Sequence, residues 1–516
     1  MSRDSSPNPN LKAGGLGLLL ALSACKLVLH LATNGGYGYF RDELYYLACA
    51  ERLDWGYVDQ APLIAWVARA ARTLLGDSLP ALRFLPAVAG ALTVFLAGAL
   101  ARELGGGRAS QLLACLAVIV APYFLGVNTL LTMNAFEPLF WLLCTHLVVR
   151  ACKTGDEKLW LWFGVVAGVA LLNKHSTLVY GFGVVAGLSL SPARRFFLSR
   201  RMWLGGAAAF LIFLPHLLWQ IGHGWPIVEI LRNADRNQNV EFSAAGFLAG
   251  QVLLLHPLTL PLWLAGLYFY LFARAGRPYR ALGYAYLVML AVMMVTRAKV
   301  YYLAPFYPAL FAAGGVAVEA WTARPRARWL RPAAVGLLVA GGVLTAPLVL
   351  PVLPIETFVN YQDRLGLEPP RAEKSHTGKL PQHYADMFGW EEMTDVVARV
   401  YHSLPEGERA RCAVYASNYG EAGAVDFFGP RRGLPKAISG HQNYFLWGPR
   451  EYTGECVITV GSDLEDVRES FDSVEHAATF THPHVIPHEN NTPVLVARRP
   501  KRPLKEIWPD VKCFSC

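Results

Sequence analysis

Charge is scarce in this chain. Asp, Glu, Lys and Arg make up 16% of its 516 residues, whereas 54% are hydrophobic. A mean hydropathy of +0.30 excludes an ordinary soluble protein and fits one that crosses a bilayer repeatedly. Glycine-rich phosphate loops are also missing: neither GxGxxG nor GKS/T occurs, so no nucleotide site is expected. No Cys/His spacing matches a firm zinc template. The run HPHVIPH, with His482, His484 and His488, reads as a solvated loop ahead of a metal site. The first apolar stretch lacks a small-residue cleavage site and is expected to be an uncleaved anchor rather than a signal peptide. Nothing resembling a nucleic-acid motif accompanies the net charge of +9, and nucleic acid is excluded as a partner. Apart from a basic, proline-containing stretch near 498–505, no low-complexity tract or repeat is evident.

What the chain does have is apolar length. A spanning helix needs about 20 apolar residues. Such stretches lie near 14–34, 79–101, 109–127, 135–150, 159–173, 176–190, 203–222, 245–272, 281–296, 301–321 and 333–354. These predict a mainly α, polytopic helical bundle of about 11 spans, in contact with the lipid bilayer. The stretch 57–75 is amphipathic and too polar to span, so it is expected to lie along the interface. Alternating the short connections from a cytoplasmic N-terminus puts sixteen Lys and Arg inside and five outside. The positive-inside rule therefore favours an inner N-terminus and an extracytoplasmic C-terminal part.

Character changes near Pro351 to Pro354. Residues 355–516 carry 18 basic and 23 acidic groups, against 29 and 15 before them, so the positive charge belongs to the membrane part. The expected domains are 1–354, transmembrane, with an outer loop at 35–78, and 355–516, a small extracytoplasmic α/β domain. In the latter, strand-like runs (CAVYAS, CVITVG, TPVLVAR) alternate with helix-like ones (EEMTDVVARVYHSL, GEAGAVDFFG, DLEDVRESFD), giving at least three strands. Cys412 and Cys456 each open a strand. They are either a disulfide or two reduced buried thiols, and the sequence leaves both open. Cys25, Cys115 and Cys144 read as small apolar packers within spans. Cys513 and Cys516 have CxxC spacing without a βαβ context.

Acidic residues in the membrane part concentrate in one outer loop. The string YFRDELYY, Tyr39 to Tyr46, places Asp42 and Glu43 beside Arg41, Tyr45 and Tyr46 directly after the first span. Such a cluster is costly at a membrane and is a functional hypothesis by default; Asp42 as a mere helix cap is the bland alternative. Asp54 and Asp59 are either part of it or a solvated loop. Glu137, in TLLTMNAFEPLFW, is expected at the same face, whereas Glu319 reads as an interfacial ion pair. Two acidic centres at one face can take a proton from a hydroxyl and orient a second group or a divalent cation; no cofactor is demanded. In TRAKVYYLAPFYPAL, Arg297 and Lys299 precede Tyr301 and Tyr302, a combination suited to a lipid phosphate and also to snorkelling in an aromatic belt. Lys174 and His175 either add charge to that site or mark a turn.

In this order, these motifs resemble the C-type glycosyltransferase superfamily. Within it they are most similar to bacterial relatives of protein O-mannosyltransferase, a group that includes the lipid A aminoarabinose transferases and Rgt-type galacturonosyltransferases. The resemblance covers about 1–354. It rests on Asp42–Glu43, the DQAPL segment from Asp59, the Asn134 to Glu137 segment, the Asn173–Lys174 turn and the Lys299 to Pro308 string. It implies an inverting enzyme of the bacterial inner membrane. Such an enzyme moves a sugar from a polyprenyl-phosphate donor to a glycolipid or protein acceptor at the outer face. Asp42 would be the general base, Glu43 its support and Glu137 the second acidic site. Lys299, Arg297 and Lys174 would neutralise the departing phosphate. Arg41, Tyr45, Tyr46, Asp59, Tyr301 and Tyr302 count as further substrate-binding residues.

The chain departs from that pattern twice: Gln60-Ala61-Pro62 stands where relatives often carry two prolines, and Asn134 where they often carry Asp. In the C-terminal part, Glu421, His441 and Asn443 are either acceptor contacts or packing groups. The rival classes are a transporter or flippase of lipid-linked sugar and a non-catalytic assembly protein on the same fold.

Overall fold

The computed structural model describes residues 9–237, 242–368 and 378–515. Cys516 of the CxxC pair and the polar tail before residue 9 lie outside them. The chain is mainly helical and gathers into two compact units. One comprises Met1–Gly35, Pro80–His216 and Phe242–Leu353; the other comprises Gly36–Leu79, Leu217–Glu241 and Pro354–Cys516.

All eleven apolar stretches are helical over most of their length. Among the described residues, seven helices are long and apolar enough to cross a membrane: Gly15–Thr33, Leu79–Glu103, Met133–Thr154, Arg200–Gly222, Arg277–Val295, Val300–Trp321 and Pro325–Leu348. Ala244–Leu254 and Pro257–Leu271 reach that length and apolarity only together, and they meet at 90°, the geometry of a broken span or a re-entrant loop. His256, at φ +75°, and Pro257 occupy that break, where neither residue continues a helix. Arg108–Val120, Leu159–Asn173 and Thr177–Ser189 are shorter apolar helices. The stretch read as one span over 109–127 is broken because Pro122 starts a second helix, Pro122–Val127, after an extended Ala121.

In the first unit, alanine, leucine and aromatic side chains form a continuous core. Backbones touch where glycine allows it. A Cβ on Gly314 would lie 1.9 Å from the Leu262 carbonyl oxygen, and one on Gly266 2.0 Å from that of Leu310, so the Leu260–Leu271 and Tyr307–Trp321 helices pack at closest approach. Leu20, Val28, Trp162, Phe182 and Val343 stand exposed on outward faces, as expected where the solvent is lipid.

In the second unit the amphipathic segment is helical only over Leu63–Leu75. Its first part turns instead, with Tyr57 N–H donating to the Gln60 carbonyl, and Pro62 precedes the helix. The unit also holds a four-stranded sheet: β1 (Cys412–Ala416), β2 (Cys456–Val460), β3 (Phe471–Phe480) and β4 (Thr492–Pro500), in the order β1-β2-β4-β3. β1 and β2 are parallel, and β4 runs antiparallel to both of its neighbours. The three strand-like runs read from sequence are β1, β2 and β4. β3 was hidden inside and after a helix-like run: only Leu464–Ser470 is helix, and the edge strand that follows is largely exposed, so its polar residues show no two-residue alternation. Cys412 and Cys456 are register partners, their Cα atoms 4.4 Å apart, and they form a disulfide.

Candidate functional site

In the second unit, the helix Arg41–Glu51 opens at an extended Phe40 whose N–H donates to Glu43 Oε2 at 2.9 Å. Glu43 is fully buried and holds the helix start. The carboxylate before it is placed differently. Asp42 Oδ1 accepts a 2.8 Å bond from the Tyr419 hydroxyl. The helix carrying Tyr419, Tyr419–Phe428, can come this close because a Cβ on Gly423 would lie only 2.9 Å from the Leu44 carbonyl carbon. Arg41 lies over the Tyr419 ring, 5.4 Å from its centroid, and pairs with Asp386 at 3.6 Å.

Asp59 joins the same group of phenols. Tyr45 donates to Asp59 Oδ1 at 2.9 Å and packs 4.8 Å from Tyr419. Burial pushes the Asp59 carboxyl up to about 7, and the charge of Asp42 adds to this against the bond from Tyr45. Tyr46 feels both carboxylates, and its pKa is raised well above the ordinary range, first by burial and then by Asp42 and Asp59. Asp42 and Asp59 therefore share one phenol-lined environment with Tyr45, Tyr46 and Tyr419. Asp54 belongs elsewhere: exposed, it accepts from the Trp219 indole at 2.8 Å.

Of the C-terminal residues, Glu421 closes a capping box with Asn418, and the Asn443 side chain accepts from Val58 N–H at 2.6 Å. His441 is closer to the cluster. Its Nδ1 accepts from Tyr419 N–H at 3.2 Å, and burial, then Arg41, hold its pKa down to about 3, so the ring is neutral. Tyr419 lies in the string YASNYGEAGAVDFFGP and Asp386 in no singled-out motif, and nothing local links either to the loop at Asp42, hundreds of positions away.

The first unit holds a second polar cluster. Glu137 is 1% exposed, near the start of the helix Met133–Thr154. Its Oε2 accepts from Lys174 Nζ at 2.9 Å, and its Oε1 accepts from Ser176 Oγ. Lys174 also donates to Asn134 Oδ1 at 2.7 Å. It can do so because Lys174 is extended (φ −159°, ψ 136°) between two helices, and Asn173 pins that turn to the Met133 carbonyl. The ammonium faces two rings, 4.6 Å from Tyr302 and 5.2 Å from Tyr301.

The structure thus brings Glu137, Lys174, Tyr301 and Tyr302 together and adds Asn134 and Ser176. Lys299 is partly buried at the start of the short 3-10 helix Val300–Phe306 that carries both tyrosines. Arg297 is exposed at φ +53°, and its side chain makes no hydrogen bond or ion pair among the described residues. Nearby, His175 and His216 are joined Nε2 to Nε2 at 2.8 Å.

Three other sequence expectations resolve plainly. Among the described residues, Glu319 makes no ion pair with the basic loop. It accepts from Gly107 and Ser110 N–H at the start of the Arg108–Val120 helix, where the helix dipole favours an anion. His482 and His484 pack on Phe388. Lys26 and His30, one turn apart in the first span, are fully buried, and Lys26 donates to the Phe124 carbonyl at 2.9 Å. Intramembrane ionisable residues are a signal in themselves, so this pair was open to view in the sequence.

Residues 59–219 match the family model described as dolichyl-phosphate-mannose-protein mannosyltransferase, a segment that includes Asp59, Asn134, Glu137 and Lys174. The chain is 27% identical over 213 residues to the lipid A galacturonosyltransferase RgtD of Rhizobium johnstonii. That match covers 40% of this chain and 44% of the relative, so it spans less than half the curated protein. Among solved structures, ArnT of Cupriavidus metallidurans bound to undecaprenyl phosphate superposes with a TM-score of 0.63 at 15% identity, over 94% of this chain and 98% of that one. Its apo form gives 0.60 at 17% identity with the same coverage. The chain therefore has an ArnT-like fold and is a multi-pass membrane protein, and the family segment and the fold point to the superfamily that the sequence motifs resemble.

Proposed function

We propose that this chain is an inverting glycosyltransferase of a bacterial inner membrane, with a cytoplasmic N-terminus and residues after about 355 on the outer side. It transfers a sugar from a polyprenyl-phosphate donor to an acceptor of the lipid A or lipopolysaccharide kind. The observation that carries the reading is the Lys174 cluster: an ammonium fixed by Glu137 and Asn134, with two phenols beside it. Breaking a sugar–phosphate bond leaves negative charge on the lipid phosphate, and a preorganised cation with hydroxyl donors stabilises that charge. In this reading Glu137 orients Lys174, Tyr301 and Tyr302 supply donors, and Lys299 with Arg297 adds positive charge.

Asp42 takes the proton from the attacking acceptor hydroxyl. Tyr419 holds one of its oxygens. Asp59, pushed up to about 7, retains its proton near neutral pH more readily than an ordinary carboxyl, so the pair is split into a base and an acid-like partner. Arg41, Tyr45 and Tyr46 line that group, and Glu43 fixes its helix.

The test is transfer by the purified protein in nanodiscs, supplied with polyprenyl-phosphate sugars and lipid A and read by the mass added to the acceptor. A protein that neither binds polyprenyl phosphate nor adds mass to any acceptor sinks the proposal.

A second reading, transport of a lipid-linked sugar, has its own support. Broken helices and ionisable groups within spans mark transporters, and this chain has the 90° break at His256–Pro257 and the buried Lys26–His30 pair. Flipping of labelled polyprenyl-phosphate sugar in liposomes, without acceptor, separates the two.

A further inference from the structure

In the first unit, the helices Arg108–Val120 and Leu330–Thr345 leave a groove of about 420 Å³ between their first two turns. Ala109, Leu112 and Leu113 form one wall, and Pro332, Val335 and Gly336 form the other. A Cβ on Gly336 would meet nothing within 4 Å among the described residues, so the groove stays open where that helix lacks a side chain. The lining is apolar except for Arg331, which stands at the end where both helices begin.

Arg331 is held in place. Its Nε donates to the Thr322 hydroxyl at 2.8 Å and its Nη2 to the Glu319 carbonyl at 2.8 Å. Nη1 makes no hydrogen bond, and the guanidinium pairs with no carboxylate, among the described residues. Acids of the adjoining segments are engaged: the Glu319 carboxylate accepts from Gly107 and Ser110 N–H and from the Ser110 hydroxyl, and Glu103 pairs with Lys153 at 3.0 Å. Arg324, Arg326 and Arg328 precede Arg331 in one connection, Arg108 opens the opposite helix, and all four are exposed. Trp321 and Trp329, also exposed, flank the connection. Indoles so placed sit at headgroup level. The positive-inside rule accounts for exposed arginines there. It does not account for a guanidinium fixed by two bonds at the mouth of an apolar groove. Cation above and apolar slot below match the two ends of one amphipathic ligand, and a planar fork suits a phosphate.

We propose that this groove binds an anionic phospholipid, its phosphate diester on the Arg331 guanidinium and one acyl chain between the two helices. The proposal goes beyond the transferase reading and does not depend on it. With the topology proposed above, the lipid belongs to the cytoplasmic leaflet, where anionic headgroups meet basic pockets between spans. A zwitterionic lipid offers the same phosphate, but it also brings an ammonium among Arg324, Arg326 and Arg328, and like charges repel. The groove therefore selects for net negative charge as well as for a chain.

The experiment uses the full-length protein in detergent, titrated with single lipids and read by native mass spectrometry. The probes are phosphatidylglycerol, phosphatidylcholine with the same chains, glycerol phosphate and polyprenyl phosphate. Wild type should bind phosphatidylglycerol about tenfold tighter than phosphatidylcholine, and Arg331→Gln should lower that preference to about twofold. Because Arg331 also ties its turn to Glu319, a second variant leaves every charge in place. Gly336→Leu fills the groove at an exposed helical position, where leucine favours the helix over glycine. It should weaken phosphatidylglycerol binding about fivefold while the melting temperature holds and polyprenyl-phosphate binding is unchanged. Equal wild-type affinity for the two phospholipids would mean that bulk lipid fills the groove, and it overturns the proposal. So does phosphatidylglycerol binding that neither variant weakens. Displacement of the lipid by millimolar glycerol phosphate would show that the anion needs no chain, and loss of polyprenyl-phosphate binding in Gly336→Leu would give the groove to another lipid; each overturns the proposal as well. Transfer by the wild type tests the transferase reading separately.

Discussion

Lys174 offers the sharpest test, because stability and catalysis separate there. Glu137 is 1% exposed and Lys174 Nζ is 2.9 Å from its carboxylate. At an effective dielectric of about 20, that contact is worth on the order of 6 kcal/mol before desolvation. Lys174→Met leaves the carboxylate buried and uncompensated, and breaking such a pair costs about 3–5 kcal/mol. Adding Glu137→Gln removes the stranded charge, so the double variant should regain most of the lost stability in thermal or denaturant unfolding of the detergent-solubilised protein. Activity should not return with it. The departing phosphate has still lost its cation, and removal of one such group costs about 10²–10³-fold in rate. Glu137→Gln alone should keep part of the activity, since Asn134 still holds the ammonium. The reasoning is refuted if the double variant is as unstable as Lys174→Met, or if it transfers sugar at the wild-type rate.

Three further outcomes are expected. Asp42→Asn should lower kcat by about 10²–10⁴-fold with little change in donor affinity, measured by transfer kinetics beside polyprenyl-phosphate binding. For Asp59 the folded carboxyl titrates near 7 against a model value of 3.8, so the folded state binds more protons between those values and stability falls as pH rises through that window. In Asp59→Asn the melting temperature should lose this fall between about pH 4 and 7, and an identical pH profile in the variant would contradict the burial argument. Replacing Cys412 and Cys456 together by alanine opens a bridge between residues 44 positions apart and should cost about 2–4 kcal/mol, visible as earlier unfolding of the sheet-containing unit by near-UV circular dichroism.

Much of the membrane architecture was legible because hydropathy needs only local information. All eleven apolar runs are helical over most of their length, and the breaks at Ala121–Pro122 and His256–Pro257, which split two of them, occur at prolines visible in the sequence. The site was legible in part. Lys174 stood out as a charge between two apolar runs, and Tyr301–Tyr302 as phenols at a helix end. Their meeting was not legible, because Glu137, Lys174 and Tyr302 come from three separated segments. The Glu43 contact was hidden for another reason: a carboxylate that caps a helix and one that does chemistry look alike in a sequence, and the Phe40 N–H bond exists only in the fold.

Sequence alone determined the bilayer as solvent, the helical class and the residue types available for chemistry, since each follows from the chemistry of short stretches of chain. Tertiary structure decided which of two adjacent acids faces Tyr419, that Asp59 meets the Tyr45 hydroxyl, and that Cys412 and Cys456 are bonded. Those outcomes depend on distances between groups a dozen or more positions apart, and electrostatics and hydrogen bonding act over a few ångströms of space.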